Sequence, residues 1–190
     1  RSSSVKSLFN KFNLFDKRQY GFRPGHSTTL AVLDLLQVIT EAKNGLNQDK
    51  VNTLLLDLSA AFDIVSHKIL LGKLEYYGVQ GVALNLFRSY LSNRRQTTCL
   101  EESMSLLELI EWGVPQGSVL GPLLFLIFIN DIPLASNLGT WLFADDTALV
   151  GSDTNLLNLQ IKMNLEVAKV QDWLLANKLS VHYVKKSQYM

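Results

Sequence analysis

Two short apolar runs flank a pair of aspartates in the segment Thr140-Trp141-Leu142-Phe143-Ala144-Asp145-Asp146-Thr147-Ala148-Leu149-Val150-Gly151. Each run has the length and composition of a short strand. The pattern predicts a β-hairpin with strands over 140–144 and 147–151. Both carboxylates are expected at the tip of this hairpin, where they would project from one end of a sheet.

A third acid follows another apolar run earlier in the chain. Residues 51–56 form a short, largely apolar run that begins with β-forming residues, and Asp57 follows directly after it. This pattern is typical of a buried strand whose last residue emerges at the edge of a sheet. Two strand ends therefore present acids, with no histidine or cysteine beside them in the sequence.

The rest of the chain divides into helical segments and loops. Helical periodicity predicts five helices, over 27–44, 66–77, 82–91, 123–132 and 155–177. A hairpin is predicted over 96–112 and a Gly/Pro loop over 113–122. Because strands and helices interleave, the sequence predicts an α/β (α+β) fold with a mixed or antiparallel sheet.

Composition and charge give only broad limits. The 190 residues are 47% hydrophobic, which is enough for one ordinary core. Eighteen basic residues against seventeen acidic ones leave a net charge of +1, so total charge does not indicate a polyanionic partner. Residues 1–23 are locally basic, and this suits either phosphate contact or a solvated face.

Three further features describe the setting of the chain. Cys99 is the single cysteine, so a disulfide framework is excluded and a zinc-ligand spacing is missing, and we interpret the chain as intracellular. The longest apolar run, 119–129, contains Gly121-Pro122 and is far shorter than the roughly 20 residues of a spanning helix. Because Arg1 is not an initiator methionine, we interpret the sequence as a piece of a longer reading frame.

Carboxylates gathered at one sheet edge repel one another, and a bound cation usually neutralises this repulsion. Mg²⁺ takes oxygen ligands, often only one or two carboxylates, and keeps positions for phosphates and water. Acids without a nearby histidine or cysteine favour Mg²⁺ over zinc. Two such ions about 4 Å apart can activate an attacking hydroxyl and stabilise a leaving pyrophosphate. Taken alone, however, an Asp-Asp pair is more often simply a polar turn.

Three segments, in the right order, carry a family resemblance. The first resembles polymerase motif A and reads Leu56-Asp57-Leu58-Ser59-Ala60-Ala61-Phe62-Asp63. The second resembles motif B and reads Gly113-Val114-Pro115-Gln116-Gly117-Ser118-Val119-Leu120-Gly121-Pro122, and the third resembles motif C and reads Phe143-Ala144-Asp145-Asp146-Thr147. All three are similar to the reverse transcriptases of non-LTR (LINE-type) retrotransposons. Residues 19–28 and 128–133 extend the similarity.

The resemblance implies a fold and a division of the chain. The fold would be a right-hand polymerase palm, with an antiparallel sheet that carries the acidic cluster and helices packed on one face. Residues 1–50 would form part of the fingers and the fingers-palm junction, and residues 51–190 the palm. The thumb would be absent from this piece.

The resemblance also assigns a catalytic centre. Asp57 and Asp145 would be the principal ligands of two Mg²⁺ ions, and Asp146 an auxiliary acid in the same cluster. Mn²⁺ would be a possible substitute. The backbone amides of Ala60 and Ala61 would face the incoming triphosphate, since phosphate is a rich acceptor.

Neighbouring residues would shape the nucleotide site. Phe62 would lie under the sugar and exclude a 2′-hydroxyl, although without the family it reads equally well as a core aromatic. Gln116 and Gly117 would lie against nucleotide and template, because the amide offers both donor and acceptor and glycine permits close approach. A plain turn is the alternative for that pair. Asp63 is expected to have a structural role.

Two basic residues complete the predicted site. Arg23 would reach a phosphate or pair with an acid of the palm. Lys186 would donate a proton to pyrophosphate, but here the sequence departs from the family pattern. Residues 173–180 resemble the run into motif D, after which one extra residue separates 181–182 from Lys186-Ser187.

The implied function is RNA-directed DNA polymerase, in which a primer 3′-hydroxyl attacks the α-phosphorus of a dNTP during retrotransposition. Expected partners are an RNA template, a DNA primer, dNTPs and the remainder of the retrotransposon polyprotein, with no membrane. The protein would act in the nucleus or cytoplasm as part of a ribonucleoprotein. A piece without a thumb and with partial fingers is expected to keep its metal cluster but extend primers weakly, because duplex grip is spread over a long basic groove.

Two other interpretations are compatible with parts of the sequence. The first keeps the fold but not the chemistry, as an inactive or domesticated remnant that binds RNA or protein. The second is a phospho-acceptor signalling domain, which also gathers three acids around Mg²⁺. In that domain the paired acids come before the single acid, which is the reverse of the order here.

Overall fold

Helices and strands alternate along the chain in the computed structural model, which describes residues 9, 14–101, 103–181 and 188–189. The helices are α1 (Thr28–Asn44), α2 (His67–Tyr76), α3 (Gly81–Leu91), α4 (Gly121–Ile129) and α5 (Leu156–Ala176), with a 3₁₀ turn over Ile132–Leu134. The strands are β1 (Lys50–Asp57), β2 (Arg95–Gln96), β3 (Cys99–Leu100), β4 (Ser103–Met104), β5 (Glu108–Leu109), β6 (Gly139–Phe143), β7 (Asp146–Asp153) and β8 (Gln188–Tyr189).

A four-stranded antiparallel sheet lies at the centre, in the order β6-β7-β1-β8. β1 and β7 pair along their whole length, with Lys50 opposite Asp153 and Asp57 opposite Asp146. β6 pairs with the other edge of β7, so the predicted hairpin and the predicted single strand are neighbours. The antiparallel sheet and the mixed α/β character of the fold are confirmed.

The two faces of this sheet are covered by different helices. On one face, Leu54, Leu56 and Leu149 belong to the main core, which also contains the apolar helix α4 and the inner side of α5. On the other face, Ala148 and Val150 pack with side chains of α1 in a smaller cluster. Alternation of side chains across a strand places neighbouring residues on opposite faces. The prediction that helices pack on one face of the sheet holds for α4 and α5. Helix α1 differs, because it covers part of the opposite face, which carries Asp57 and Asp146.

Most element boundaries agree with the sequence within a residue or two. The helix predicted over 123–132 instead begins at Gly121, because Pro122 can occupy the first turn, where its missing N–H costs nothing. It ends at Ile129, and the 3₁₀ turn that contains Pro133 follows. The hairpin predicted over 96–112 is present as two short ladders, β2 with β5 and β3 with β4.

No helix among the described residues is long and apolar enough to cross a membrane. Cys99, on β3, is exposed and forms no disulfide. Lys186, predicted to act on pyrophosphate, lies outside the described residues.

Candidate active site

Asp57 and Asp146 form a cross-strand pair at one end of the sheet. Asp57 is the last residue of β1, Asp146 is the first residue of β7, and the two lie directly opposite each other. Residues opposite each other in an antiparallel ladder share a face and hold their Cβ atoms about 5 Å apart. The Asp57 side chain is half-buried and that of Asp146 is exposed.

Asp145 lies beside this pair, in the turn of the hairpin. Phe143 pairs with Asp146, so the turn consists of Ala144 and Asp145. The prediction that both carboxylates sit at the tip is therefore wrong for Asp146, which belongs to the ladder. A two-residue turn closes the hairpin because Ala144 adopts the left-handed conformation, with φ of 55°. All three predicted acids nevertheless reach the same end of the sheet.

A groove of about 500 Å³ opens between this end of the sheet and helix α1. One wall is formed by Ala31 and Leu35 of α1, and the opposite wall by Leu55 and Ala148 of the sheet. Asp57 and Asp146 also line it, so an apolar groove leads to the two carboxylates. The shape leaves the acid pair accessible to a ligand larger than water.

Helix α1 is anchored beside the site by Asp34. Its Oδ2 accepts hydrogen bonds from the Trp141 indole at 2.6 Å and from the Tyr20 hydroxyl at 2.8 Å. The bond from Trp141, followed by that from Tyr20, lowers the pKa of the Asp34 carboxyl, against the opposing effect of burial. Burial and the neighbouring Asp34 raise the pKa of Tyr20 to about 12. The cluster therefore stabilises the ionised form of Asp34 and the neutral form of the phenol.

The turn that carries Asp145 is supported from behind by the segment 18–21. The Gln19 side chain is fully buried, and its Oε1 accepts hydrogen bonds from the backbone N–H groups of Gly21 at 2.7 Å and Ala144 at 3.3 Å. Tyr20 N–H donates to the carbonyl of Leu142 at 2.7 Å, and Leu142 N–H donates back to Arg18 at 2.9 Å. The segment thus runs alongside β6 as a short parallel extension of the sheet.

Arg23 holds this segment in place. Its Nη1 donates to the backbone carbonyls of Asp16 at 2.7 Å and Gln19 at 3.1 Å, and the guanidinium lies 5.5 Å from the centre of the Phe15 ring. Burial lowers its pKa. The structure therefore gives Arg23 a backbone-supporting role, and the predicted contact with a phosphate remains a prediction.

Asn130 connects residues 14–16, which precede this segment, to the core. Its Oδ1 accepts from Asp16 N–H at 2.9 Å, while its Nδ2 donates to the Leu14 carbonyl at 2.7 Å and to the Tyr77 hydroxyl at 2.9 Å. The side chain is buried, with 7% of its surface exposed. This asparagine fixes the position of residues 14–16 relative to helices α2 and α4.

The loop after β1 holds the residues predicted to face the nucleotide. Ala60 is exposed with φ of 46°, whereas Ala61 is buried. Phe62 is half-buried and stacks on Phe125 with ring centres 4.2 Å apart, while the Phe22 ring lies edge-on to it with a centre-to-centre distance of 6.2 Å. The ring packs on the core and is still partly accessible. This geometry is compatible both with a core aromatic and with a residue that contacts the sugar.

The Gly/Pro loop is tied directly to the loop after β1. Val114 N–H donates to the Phe62 carbonyl at 2.8 Å, and Gln116 Nε2 donates to Asp63 Oδ1 at 2.8 Å. Asp63, which was predicted to have a structural role, thus orients the exposed Gln116 amide through its carboxylate. Gly117 is exposed with φ of 75°, a conformation that favours glycine.

The donor set at the sheet end suits a hard divalent ion. No three histidine, cysteine, aspartate or glutamate side chains lie close enough to form a metal cage anywhere in the described ranges. Mg²⁺ is commonly held by one or two carboxylates and completed by water and substrate phosphates, so a dedicated cage is not required. The Asp57–Asp146 pair and the adjacent Asp145 fit that chemistry, and their role as ligands remains a prediction.

Gln19, Asp34 and Asn130 are parts of the site that the sequence did not indicate. Each is a polar residue whose importance comes from burial or from partners far along the chain. The similarity of residues 19–28 and 128–133 to the family includes Gln19 and Asn130, but it does not indicate their hydrogen bonds, and it does not include Asp34.

Comparison with known proteins identifies relatives over most of the chain. The family model described as reverse transcriptase (RNA-dependent DNA polymerase) matches residues 2–190. A probable RNA-directed DNA polymerase from transposon BS of Drosophila melanogaster is 34% identical over 138 residues, which cover 70% of this chain and 14% of that protein. The RNA-directed DNA polymerase from mobile element jockey of Drosophila funebris is 29% identical over 175 residues, covering 87% and 19% respectively. The chain thus spans less than a fifth of these relatives.

The fold also matches solved structures. Telomerase from Candida tropicalis, in complex with a fragment of telomeric RNA, superposes with a TM-score of 0.69 at 14% sequence identity. The match covers 100% of this chain and 33% of the telomerase chain. The apo telomerase truncated from its C-terminal domain gives a TM-score of 0.67. At this level of identity the comparison concerns the fold alone.

Proposed function

The chain belongs to the reverse transcriptase (RNA-dependent DNA polymerase) family, and we propose that it supplies the catalytic palm, with part of the fingers, of an RNA-directed DNA polymerase from a non-LTR retrotransposon. The observation that carries the proposal is the Asp57–Asp146 cross-strand pair with Asp145 in the adjoining turn. Acids distant in the sequence meet at one sheet end, beside an open groove. The division into fingers (1–50) and palm (51–190) is part of the same proposal.

The proposed reaction is transfer of a deoxynucleotide onto the 3′-hydroxyl of a primer, directed by an RNA template. Mg²⁺ bound at Asp57 and Asp145, with Asp146 as auxiliary acid, would supply charge stabilisation for the attacking hydroxyl and the leaving pyrophosphate. The chain itself contributes the positions of the carboxylates, because the paired strands β1 and β7 hold Asp57 and Asp146 and the adjoining turn holds Asp145. Preorganised groups of this kind supply much of the catalytic effect in phosphoryl transfer.

The loops beside the acids would bind the nucleotide. The backbone N–H groups at Ala60 and Ala61 are placed just past the end of β1, where a triphosphate bound at Asp57 would lie. Phe62 would contact the sugar, and its stacking on Phe125 limits how far the ring can yield to a 2′-hydroxyl. Gln116, oriented by Asp63, would present its amide oxygen to nucleotide or template.

Binding of Mn²⁺ to the chain, measured by electron paramagnetic resonance, tests the proposal. Asp145→Asn is expected to weaken Mn²⁺ binding at least about tenfold, since even changes to the outer shell of metal sites cost that much. Asp172→Asn makes the same chemical change at an exposed position of α5 and should leave the affinity unaltered. Primer extension on an RNA template with Mg²⁺ should fall in parallel.

The same experiment separates the main alternative. A chain that binds RNA, shows no Mn²⁺ affinity sensitive to Asp145→Asn and extends no primer would be an inactive remnant that acts as a binding module. Long, processive products from this chain alone would contradict the expectation that a palm with partial fingers holds primer and template weakly.

A further inference from the structure

The Gln19 side chain reaches the turn of the acidic hairpin from the interior. Its exposed fraction is 0%, and its Oε1 accepts from both Gly21 N–H and Ala144 N–H. Burying an amide is costly unless its polar atoms find partners, so a glutamine kept here needs a reason beyond packing. The identity of the oxygen follows from the network, because two N–H donors point at it.

The turn that Gln19 contacts is under conformational constraint. Ala144 has φ of 55°, a region that is costly for residues other than glycine and that persists only when the surroundings impose it. Ala144 immediately precedes Asp145, so the orientation of its peptide unit determines where the Asp145 carboxylate points. The hydrogen bond from Ala144 N–H to Gln19 is one force that holds this conformation.

The backbone of Gly21 closes the same contact from the other side. A Cβ atom built on Gly21 would lie 2.4 Å from Ala144 N and 3.0 Å from its Cα, which leaves no room for a side chain. Gln19 itself is fixed by Arg23, which donates to its carbonyl at 3.1 Å. The segment 18–21 therefore lies tightly against the turn, and its contacts with Ala144 are made through the backbone of Gly21 and the Gln19 side-chain oxygen.

We infer that Gln19 is a positioning residue for the catalytic turn: its side-chain oxygen holds Ala144 in the left-handed conformation and so sets Asp145 beside Asp57. The inference rests on the proposed function for the role of Asp145 as a metal ligand. Its structural half, the control of the turn by Gln19, stands independently. Residues that orient metal ligands typically change metal affinity 10- to 100-fold when removed, which gives the expected size of the effect.

The amide nitrogen of Gln19 suggests a substitution that separates hydrogen bonding from side-chain volume. Nε2 is buried and has no hydrogen-bond partner among the described residues. Gln19→Glu replaces that unpaired NH₂ with an oxygen and keeps the acceptor that Ala144 uses. In mildly acidic solution a buried carboxyl stays protonated and still offers this carbonyl oxygen. Gln19→Met has a similar length but no comparable acceptor, so the two variants separate hydrogen bonding from side-chain volume.

Amide hydrogen exchange at Ala144 and Mn²⁺ affinity, measured on the full chain, test the inference together. Gln19→Met should accelerate exchange at Ala144 about five- to tenfold, as loss of one hydrogen bond predicts, and should weaken Mn²⁺ binding about 10- to 100-fold. Gln19→Glu should show neither loss. Gln37→Met, the same change at an exposed position of α1, is the control and should match the wild type.

The possible results are distinct. Unchanged exchange at Ala144 in Gln19→Met, or accelerated exchange in Gln19→Glu, would overturn the inference, and the second outcome is decisive even if the methionine variant does not fold. Accelerated exchange with unchanged Mn²⁺ affinity would overturn the link from the turn to the metal site. If Asp145→Asn also leaves Mn²⁺ affinity unchanged while exchange responds as expected, the proposed function fails but the control of the turn by Gln19 stands.

Discussion

Gly113 offers a sensitive test of how the Gly/Pro loop is joined to the loop after β1. It has φ of 84°, and a Cβ atom at this position would lie 2.7 Å from the carbonyl oxygen of Asp63 and 3.0 Å from its Cα. Gly113 N–H also donates to the carbonyl of Val65 at 2.8 Å. Gly113→Ala should therefore be strongly destabilising, because neither backbone can move without breaking a hydrogen bond between the loops.

A second glycine allows the destabilisation by Gly113→Ala to be separated into a backbone conformational cost and a steric cost. Gly78, at the end of α2, has φ of 87°, but a Cβ atom there would meet nothing within 4 Å. Gly78→Ala should then show only the conformational cost, about 1–2 kcal/mol for a left-handed residue, reduced by the smaller entropy of its unfolded chain. Gly113→Ala has the same two contributions plus overpacking against Asp63, about 1–3 kcal/mol.

Urea unfolding of the two variants and the wild type measures this difference. Gly113→Ala is expected to lose about 1–3 kcal/mol more unfolding free energy than Gly78→Ala, with similar m-values. Equal losses within about 0.5 kcal/mol would show that the close approach between the two loops does not constrain the folded state.

Two further predictions concern the polar anchors of the site. Asp34→Ala should cost about 1–2 kcal/mol, because Tyr20 and Trp141 each lose a charged acceptor. Folding lowers the pKa of Asp34 from 3.8, so the stabilisation by its ionised carboxylate is fully present above pH 3.8 and is lost as the pH falls through the lower pKa of the folded state. In urea unfolding at different pH values, the difference in unfolding free energy between wild type and Asp34→Ala should therefore close only in strong acid. Asn130→Ala removes three hydrogen bonds from a buried side chain and should cost about 2–4 kcal/mol, whereas Asn85→Ala, at an exposed position of α3, should stay within about 0.5 kcal/mol. Similar thermal midpoints for the two asparagine variants would contradict the anchoring role.

The strands and helices were predictable where hydrophobic patterning dominates. The run 51–56 predicts a buried strand, and the structure has this strand over Lys50–Asp57. The pattern is clear because side chains on both faces of the strand pack against other elements. The helix predicted over 27–44 begins where expected, with Ser27 as the N-cap whose side chain accepts a hydrogen bond from Leu30 N–H. Local signals of this kind are read from neighbours in the chain.

The geometry of the hairpin was harder to predict than its presence. Sequence patterning could not decide whether two or more residues form the turn, because this depends on Ala144 adopting a positive φ that alanine rarely takes. That conformation is imposed by Gln19 and Gly21, which lie far away in the chain. Asp146 was therefore misplaced at the tip, although the end of the sheet at which the acids meet followed from the pattern.

The polar framework was not predictable from local sequence. Asn130 bonds to Asp16 and Gln19 bonds to Ala144 across long separations, and neither asparagine nor glutamine carries a pattern that announces burial. Sequence similarity of residues 19–28 to a family segment located this region without explaining it. Only the packed structure shows why a glutamine and a glycine are needed there.

The pairing of β1 with β7 has a consequence for how the protein acquires its chemistry. The hairpin of β6 and β7 is local, whereas β1 is separated from it in the sequence by a long stretch of chain that includes α2, α3 and α4, so pairing β1 with β7 closes a long loop. Closing so long a loop carries an entropic cost that non-local contacts must offset, and we expect this pairing to form after the local hairpin. A nascent or partly unfolded chain would therefore hold its acids apart, and competence for catalysis would arise together with completion of the fold.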